Sequence, residues 1–275
     1  MAGITLCCRN GGWGTRGNAI GHEASLDFEA GQLTVLIGPN GAGKSTLLRL
    51  ASGLLPATSG TVSFGNAPVA TLPAVRLAAS RAMLMQDSPL RAQFTLRELV
   101  AMGSHISAPS LSHATRMALV EALLERVGLA AFTGRDIMGL SGGERQRVHL
   151  ARVLMQLEAA VYDTDKSPGF LLLDEPISAQ DLSRQHLVLN LARAHAQKGG
   201  GVVLVLHDLN WAVACADRII VVHEGTIHAQ GRPEQVLTNE LACRVFGLEE
   251  GRVRKHTVSG KPYILPHDMM CQSLS

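Results

Sequence analysis

The sequence predicts an α/β domain with a mainly parallel core sheet. Short apolar runs alternate with longer helical patterns along the 275 residues. Three of those runs, 33–37, 170–173 and 202–206, are apolar apart from Thr34, as strands covered on both faces must be. No internal repeat or low-complexity tract breaks the alternation.

Strands are expected at 4–8, 33–37, 61–64, 82–85, 170–173, 202–206 and 219–223. Helices are expected at 44–53, 74–80, 95–102, 113–127, 143–157, 183–197 and 210–215. In the first strand the adjacent Cys7 and Cys8 would point to opposite faces. His223-Glu224-Gly225-Thr226 reads as a hairpin turn, and Pro233 as the first residue of a short helix. Residues 87–157 are helix-rich and lack strands, yet lie between two strand-bearing blocks, which marks a helical insertion. From about residue 248 the chain carries Gly251, Gly260, Pro262 and Pro266 and reads as a tail with one hairpin.

Composition narrows the class. Hydrophobic residues make up 46% and charged residues 17%, with a net charge of +2, which excludes disorder as the main state. The length accommodates one large domain or two small ones. The mean hydropathy of +0.15 is high for a soluble chain. Even so, the longest apolar runs, such as Val202 to Leu206, fall far short of the roughly 18 residues that span a bilayer. The first ten residues lack the apolar core and cleavage site of a signal peptide. Five cysteines (Cys7, Cys8, Cys215, Cys243, Cys271) without CxxC spacing argue against a disulfide framework or zinc site and fit a reducing cytoplasm. The small net charge gives no ground for a nucleic-acid partner.

Gly38-Pro39-Asn40-Gly41-Ala42-Gly43-Lys44-Ser45-Thr46 follows an apolar strand and opens a helix, the context a P-loop requires. Glycines let successive N–H groups turn inward toward phosphate oxygens, and the helix dipole adds positive charge there. Lys44 would neutralise the β- and γ-phosphates, and Ser45 would offer a hydroxyl to Mg²⁺. The plain alternative is a glycine-rich turn with a surface lysine. The strand ending Leu173-Asp174-Glu175-Pro176 supplies two carboxylates. Asp174 would hold Mg²⁺, and Glu175 would orient or deprotonate the water attacking the γ-phosphate. Alone, two such acids would more often cap a loop.

Three further elements decide the class. Leu140-Ser141-Gly142-Gly143-Glu144-Arg145-Gln146 forms a second anion-binding helix start. One γ-phosphate has no need of two cradles within one chain, whereas a second copy facing the first would use both. His207, after the strand at 202–206, is placed to reach a γ-phosphate. Gln86, after the strand at 82–85, is placed to touch both Mg²⁺ and the attacking water.

Together these residues resemble the ATP-binding cassette (ABC) ATPase family, over about residues 4–247. The resemblance implies a RecA-like P-loop core with an antiparallel β subdomain and an inserted α-helical subdomain. It matches Walker A to Gly38–Thr46, the Q-loop to Gln86, the signature to Leu140–Gln146, and Walker B to residues 170–174. Glu175 matches the catalytic carboxylate, Ser178-Ala179-Gln180-Asp181 the D-loop, and His207 the switch histidine. It implies ATP and Mg²⁺ as ligands, with Ser45, Gln86 and Asp174 at the metal. It also implies a head-to-tail homodimer in which each ATP lies between one Walker A and the partner copy's signature. The division it implies is an ATPase domain over 1–247, with its core at 1–86 and 163–247 and its helical subdomain at about 87–162, then a tail at 248–275. Two departures stand out. Gln180 replaces the usual leucine. The nearest upstream aromatic for adenine stacking is Trp13, 25 residues before Gly38; it either stacks on adenine or packs locally.

Within the family, Leu206-His207-Asp208-Leu209-Asn210 is similar to the haem, ferric-siderophore and vitamin B12 importer ATPases. From Ser141 to Asp174 the chain runs 33 positions, longer than common cassettes, and the extra residues at 157–169 resemble the haem group. The ending from Arg254 to Pro266 is similar to that group too. The resemblance implies an ATPase that energises haem import through a separate integral membrane permease. A periplasmic haem-binding protein would be an indirect partner, and the ATPase would sit peripherally on the cytoplasmic face of the bacterial inner membrane. B12 or siderophore import is the alternative cargo, and a soluble non-transport cassette ATPase the alternative class. The latter predicts tandem cassettes, a coiled-coil insertion or a basic tail, none of which the sequence carries. Among the eleven histidines, His105, His113, His186 and His195 lie in or near helices without a tight Cys pairing and read as solvated surface residues rather than haem ligands.

Overall fold

The computed structural model describes residues 3–7, 13–15, 18–20, 25–57, 60–86, 93–164, 168–178 and 180–266. In chain order the first elements are β1 (Ile4–Cys7), β2 (Trp13–Thr15), β3 (Asn18–Ile20), β4 (Ser25–Phe28), β5 (Leu33–Ile37), α1 (Lys44–Ser52), β6 (Thr61–Phe64), β7 (Ala67–Pro68), α2 (Ala74–Ser80) and β8 (Arg81–Leu84). The helical stretch follows, with α3 (Leu96–Met102), α4 (Ser104–Ser107), α5 (His113–Arg126) and α6 (Gly142–Thr164). The chain returns to the sheet through β9 (Phe170–Asp174), α7 (Leu182–Gln197), β10 (Gly201–Val205), α8 (Leu209–Cys215), β11 (Arg218–His223) and β12 (Thr226–Gly231). It ends with α9 (Pro233–Val236), α10 (Asn239–Phe246), β13 (Val253–Lys255) and β14 (Pro262–Ile264).

The central sheet has the order β12-β11-β5-β10-β9-β8. Its β11–β5, β5–β10, β10–β9 and β9–β8 pairs are parallel, and only edge strand β12 runs antiparallel. Strands β5, β9 and β10, apolar but for Thr34 and Asp174, are buried at every position, as strands covered on both faces are. A second sheet, β4-β1-β6-β7, is antiparallel. Ile4, Leu26 and Phe28 of that sheet pack in one apolar cluster with Leu47 and Leu48 of α1 and with Leu36, Leu172 and Val203 of the central sheet. Helix α1 is thereby clamped between the two sheets. The other face of the central sheet is covered by a larger core that takes in α3, α5, α6, α7 and α8.

Helices α3, α4 and α5 pack on α6, which also meets α2, β8 and β9. Thr95 and Glu98 form a reciprocal capping box that starts α3. Helix α6 runs to Thr164, past the expected end at 157. The extension persists because Ala159 and Ala160 are buried and Glu158 pairs with Arg126 of α5 at 2.6 Å. Among the described residues, no helix is long and apolar enough to cross a membrane.

Most expected elements appear with ends displaced by one residue. The strand expected at 82–85 is Arg81–Leu84, and Thr95 caps α3 rather than entering it. Cys8, expected to end the first strand, lies outside the described residues. The turn at 223–226 is a hairpin, with Glu224 at φ 47 and Gly225 at φ 72, both left-handed as a two-residue hairpin loop prefers. Pro233 opens α9, and the tail forms the hairpin β13–β14. Strands β2, β3, β4, β7 and β12 were not expected. They are short or at sheet edges, where alternation is weak, and the β11–β12 pairing is interrupted by a bulge at Val221/Val222.

One buried group on α6 makes stability sensitive to acid. His149 is 3% exposed, and among the described residues neither ring nitrogen has a hydrogen-bond partner. Burial, with Arg152 and Arg145 nearby, pushes its pKa down to about 4. A histidine whose folded pKa is depressed supports the fold above its unfolded pKa, near 6.5, and withdraws that support as pH falls toward the folded value. His149→Leu keeps the volume and removes the titration. Its stability advantage over the parent, measured by urea unfolding, should widen by up to about 3 kcal/mol between pH 6.5 and 4. A constant difference would remove His149 from the acid response.

Candidate active site

The carboxyl ends of β5, β8, β9 and β10 lie level along one edge of the central sheet, the usual place for ligands in open α/β sheets. Each strand delivers one flagged residue or loop there: Gly38–Thr46 after β5, Gln86 after β8, Asp174 and Glu175 at β9, and His207 after β10.

The loop between β5 and α1 is shaped by backbone constraints. Gly38 has φ 149, and a Cβ there would fall 2.0 Å from the carbonyl oxygen of Val222. Only glycine fits this close approach. Gly43 occupies the N-cap of α1 in the left-handed region, and no side chain caps the helix. The first N–H groups of α1 are therefore left for a ligand, where the helix dipole favours an anion. Lys44 is 5% exposed, and its Nζ donates to the carbonyls of Gly38 and Pro39, each at 2.8 Å. Burial lowers its pKa, while Glu175 and Asp174 act in the opposite sense.

Ser45 Oγ donates to Asp174 Oδ1 at 2.9 Å. Asp174 is 1% exposed, and its Oδ2 is buried without a partner among the described residues. Burial raises its pKa, with Ser45 opposing. A buried carboxylate with one oxygen unsatisfied, beside a hydroxyl and an open cleft, is a donor set that fits a hard divalent cation. Among the described residues, no group of three His, Cys, Asp or Glu could hold a metal by itself. That suits an ion completed by water and phosphate oxygens.

Glu175 sits in the left-handed region at φ 49, which is strained for a residue with a side chain. Its backbone is held on both sides: its N–H donates to Val205 O at 3.2 Å, and its carbonyl accepts from Gln146 Nε2 at 2.8 Å and Ser178 Oγ at 2.9 Å. Its carboxylate meets the two other flagged side chains. Gln86 Nε2 donates to Oε2 at 2.9 Å, and His207 Nε2 lies 2.5 Å from Oε1. Asn40, Gly41, Gly43, Lys44, Ser45, Thr46, Gln86, Glu175 and His207 line one cleft of about 470 Å³.

The structure does not bring the signature residues to this cleft. Ser141, Gly142 and Gly143 line a separate hollow of about 350 Å³ with Glu144, Arg147, Gln180, Asp181 and Arg184. Ser141 and Glu144 form a reciprocal cap at the start of α6: Ser141 N and Oγ donate to Glu144 Oε2 at 2.9 and 2.7 Å. These bonds hold the Glu144 carboxyl below the usual carboxylate range. Trp13 lies in β2, and its side chain falls outside the described residues. Sequence reasoning gave no role to Gln146, which ties α6 to the backbone of Glu175. Gln180 Nε2 donates to Gln146 Oε1 at 2.7 Å, so the departure in the D-loop also joins this network. Neither contact has a local pattern that would have revealed it.

The sequence profile of the ABC transporter family matches residues 22–178. The hemin import ATP-binding protein HmuV of Rhodopseudomonas palustris (strain HaA2) is 42% identical over 261 residues, covering 95% of this chain and 97% of that protein. The protein of the same name from Shewanella denitrificans is 47% identical over 224 residues, covering 81% of this chain and 85% of that one. Among solved structures, a chain of an inward-facing ABC transporter described as of metal-chelate type superposes with a TM-score of 0.75 at 22% identity, covering 96% of this chain and 97% of that one. This last likeness establishes the fold.

The strain at Glu175 has a measurable consequence. Glu175→Gly removes the left-handed penalty, while Glu175→Val aggravates it with a β-branched side chain. The glycine variant should exceed the valine variant in unfolding free energy by about 1–2 kcal/mol by urea titration. Equal stabilities would show that position 175 carries no strain.

Proposed function

The chain belongs to the ABC transporter family, and from that premise we propose that it is the ATP-hydrolysing subunit of an importer that drives haem uptake through a separate permease. The observation that carries the catalytic part is the convergence of Gln86 and His207 on the Glu175 carboxylate, at the mouth of the P-loop cleft. The cargo rests on the names of relatives that align along most of this chain.

In this reading the uncapped N–H groups at the start of α1 and along the glycine-rich loop bind the nucleotide phosphates, with Gly38, Pro39, Asn40, Gly41, Ala42 and Gly43 shaping the loop and Thr46 in the first turn of the helix. Lys44 leaves the carbonyls of Gly38 and Pro39 to meet the β- and γ-phosphates, which resemble them as oxygen acceptors. Ser45, Asp174 and Gln86 would hold Mg²⁺, which would supply charge neutralisation on the phosphates. Glu175 takes the proton of the attacking water, and its strained backbone sets the carboxylate toward the cleft. His207 fixes the orientation of that carboxylate and contacts the γ-phosphate. Trp13 stacks on adenine in this reading. The core comprises 1–86 and 163–247, the helical subdomain about 87–162, and the tail 248–275.

A second copy completes the site. Ser141, Gly142 and Gly143 lie in their own hollow, and a head-to-tail partner would apply its hollow to this chain's cleft. ATP would then close the dimer and hydrolysis reopen it. Val75 of α2, Met85 next to Gln86 in sequence, Met102 of α3 and Ile106 of α4 are exposed apolar side chains suited to a permease segment. The subunit would thus dock on the cytoplasmic face of the inner membrane, with a periplasmic haem-binding protein acting from the other side.

Glu175→Gln should lower ATP turnover by at least about 100-fold while ATP binding persists. Normal turnover would remove Glu175 from its role. In proteoliposomes holding the permease and its periplasmic binding protein, haem should be taken up in an ATP-dependent way. Uptake of vitamin B12 or a ferric siderophore in place of haem would overturn the cargo. Tight DNA binding that falls steeply with salt, with no permease complex, would overturn the transport role.

A further inference from the structure

We infer that the C-terminal hairpin β13–β14 is a brace that positions His207, with Asn210 and Lys261 as its positioning residues. The inference rests on the reading of His207 given above and adds a role for a segment that this reading leaves idle.

His207 lies in the short link between β10 and α8. On one side Leu206 N donates to Leu36 O at 3.2 Å, which anchors the link to the sheet. On the other side Asp208 caps α8, accepting from Trp211 N at 2.9 Å. The imidazole can hold its place beside Glu175 only if α8 holds its own. Helix α8 spans only Leu209–Cys215, too short to persist by its internal hydrogen bonds. Its position must come from what packs on it.

The hairpin supplies ties at both ends of α8. In the first turn, Asn210 Nδ2 donates to Ile264 O at 2.8 Å, and Ile264 N donates to Asn210 Oδ1 at 2.9 Å. The side-chain amide thus pairs with a strand residue as another strand would. In the last turn, Lys261 Nζ donates to Val213 O at 3.1 Å and Ala214 O at 3.2 Å. A lysine at the carbonyl end of a helix satisfies orphan acceptors and matches the dipole. The hairpin is itself anchored: Ile264 is 3% exposed within the main core, and Val253 N donates to Asn239 Oδ1 of α10 at 2.8 Å. Trp211 Nε1 also donates to Gln185 Oε1 of α7 at 2.7 Å, and Ala212 and Val213 are buried in the main core. Helix α8 is therefore tied to the core, to α7 and to the tail, and with it the link that carries His207.

The His207–Glu175 approach of 2.5 Å leaves little room for displacement. Loss of the brace should therefore be read in the rate of hydrolysis rather than in nucleotide binding. In the full-length chain, Asn210→Ala should lower kcat for ATP by about five- to twentyfold with KM within about twofold. Lys261→Met should give a smaller loss of the same kind, and it serves the same comparison should Asn210→Ala fail to fold. In a His207→Ala background, either substitution should have no further effect on kcat, because the brace acts through His207. A merely structural role would lower the rate by the same factor in both backgrounds. Unchanged kcat in both brace variants, or additive losses with His207→Ala, overturns the brace while leaving the reading of His207 intact. Parental turnover in His207→Ala alone overturns that reading, and the brace with it.

Discussion

The register of the parallel strands governs the site. Val205 of β10 pairs with Asp174 of β9 on one side and with Leu36 of β5 on the other, and Leu84 of β8 pairs with Leu173 of β9. The four strands therefore end together, and the residue or two beyond each end must share the same small volume. A slip of one residue would turn every side chain to the opposite face and bury the charges. What prevents the slip is the apolar filling of β5, β9 and β10, each buried throughout and each losing on the order of 1.5–3 kcal/mol per side chain if exposed. The polar cleft is a by-product of an apolar alignment.

Within that alignment the chain holds its polar groups in costly states. Lys44 and Asp174 are both nearly inaccessible, and burial pushes each toward its neutral form. Glu175 is strained in its backbone. Each cost is matched by a contact that a nucleotide would exchange for a better one. Lys44 rests on two carbonyls, Asp174 keeps one oxygen unpaired, and the carboxylate of Glu175 is shared between Gln86 and His207. Strain and unsatisfied groups gathered at one cleft mark a site shaped for ligand rather than for stability.

The P-loop, the paired acids, Gln86 and His207 were legible in the sequence because each sits immediately beyond an apolar strand. A local pattern suffices to place such a residue, and the parallel sheet brings the strand ends together. What escaped was everything set by contacts distant in sequence. Gln146 reaches Glu175 across 29 positions, and nothing around either residue foretells it. The strands β4, β7 and β12 are edge or short segments whose alternation is diluted by polar residues, so their pairing partners define them. The extra residues at 157–169 read as an insertion after a helix expected to end at 157, and up to Thr164 they are part of that helix. They continue α6 as helix because two alanines and an ion pair to α5 support two more turns.

Helix α6 deserves its length for another reason. It starts at the signature hollow, where Ser141 and Glu144 cap it. One turn later Gln146 holds the carbonyl of Glu175. Further along, Gln156 Nε2 donates to Ala78 O and Arg81 O, each at 2.8 Å, gripping the junction of α2 and β8. Strand β8 leads directly to Gln86. A single helix, roughly 35 Å long at about 1.5 Å per residue, thus touches the signature hollow, the carboxylate loop and the base of the Gln86 strand. Hydrogen bonds along a continuous helix resist bending, so these three places cannot shift independently. A ligand that pulls on the signature end must strain the bonds to Glu175 and to β8 together. In a protein whose cleft and hollow lie apart, this shared helix is one continuous mechanical route between them.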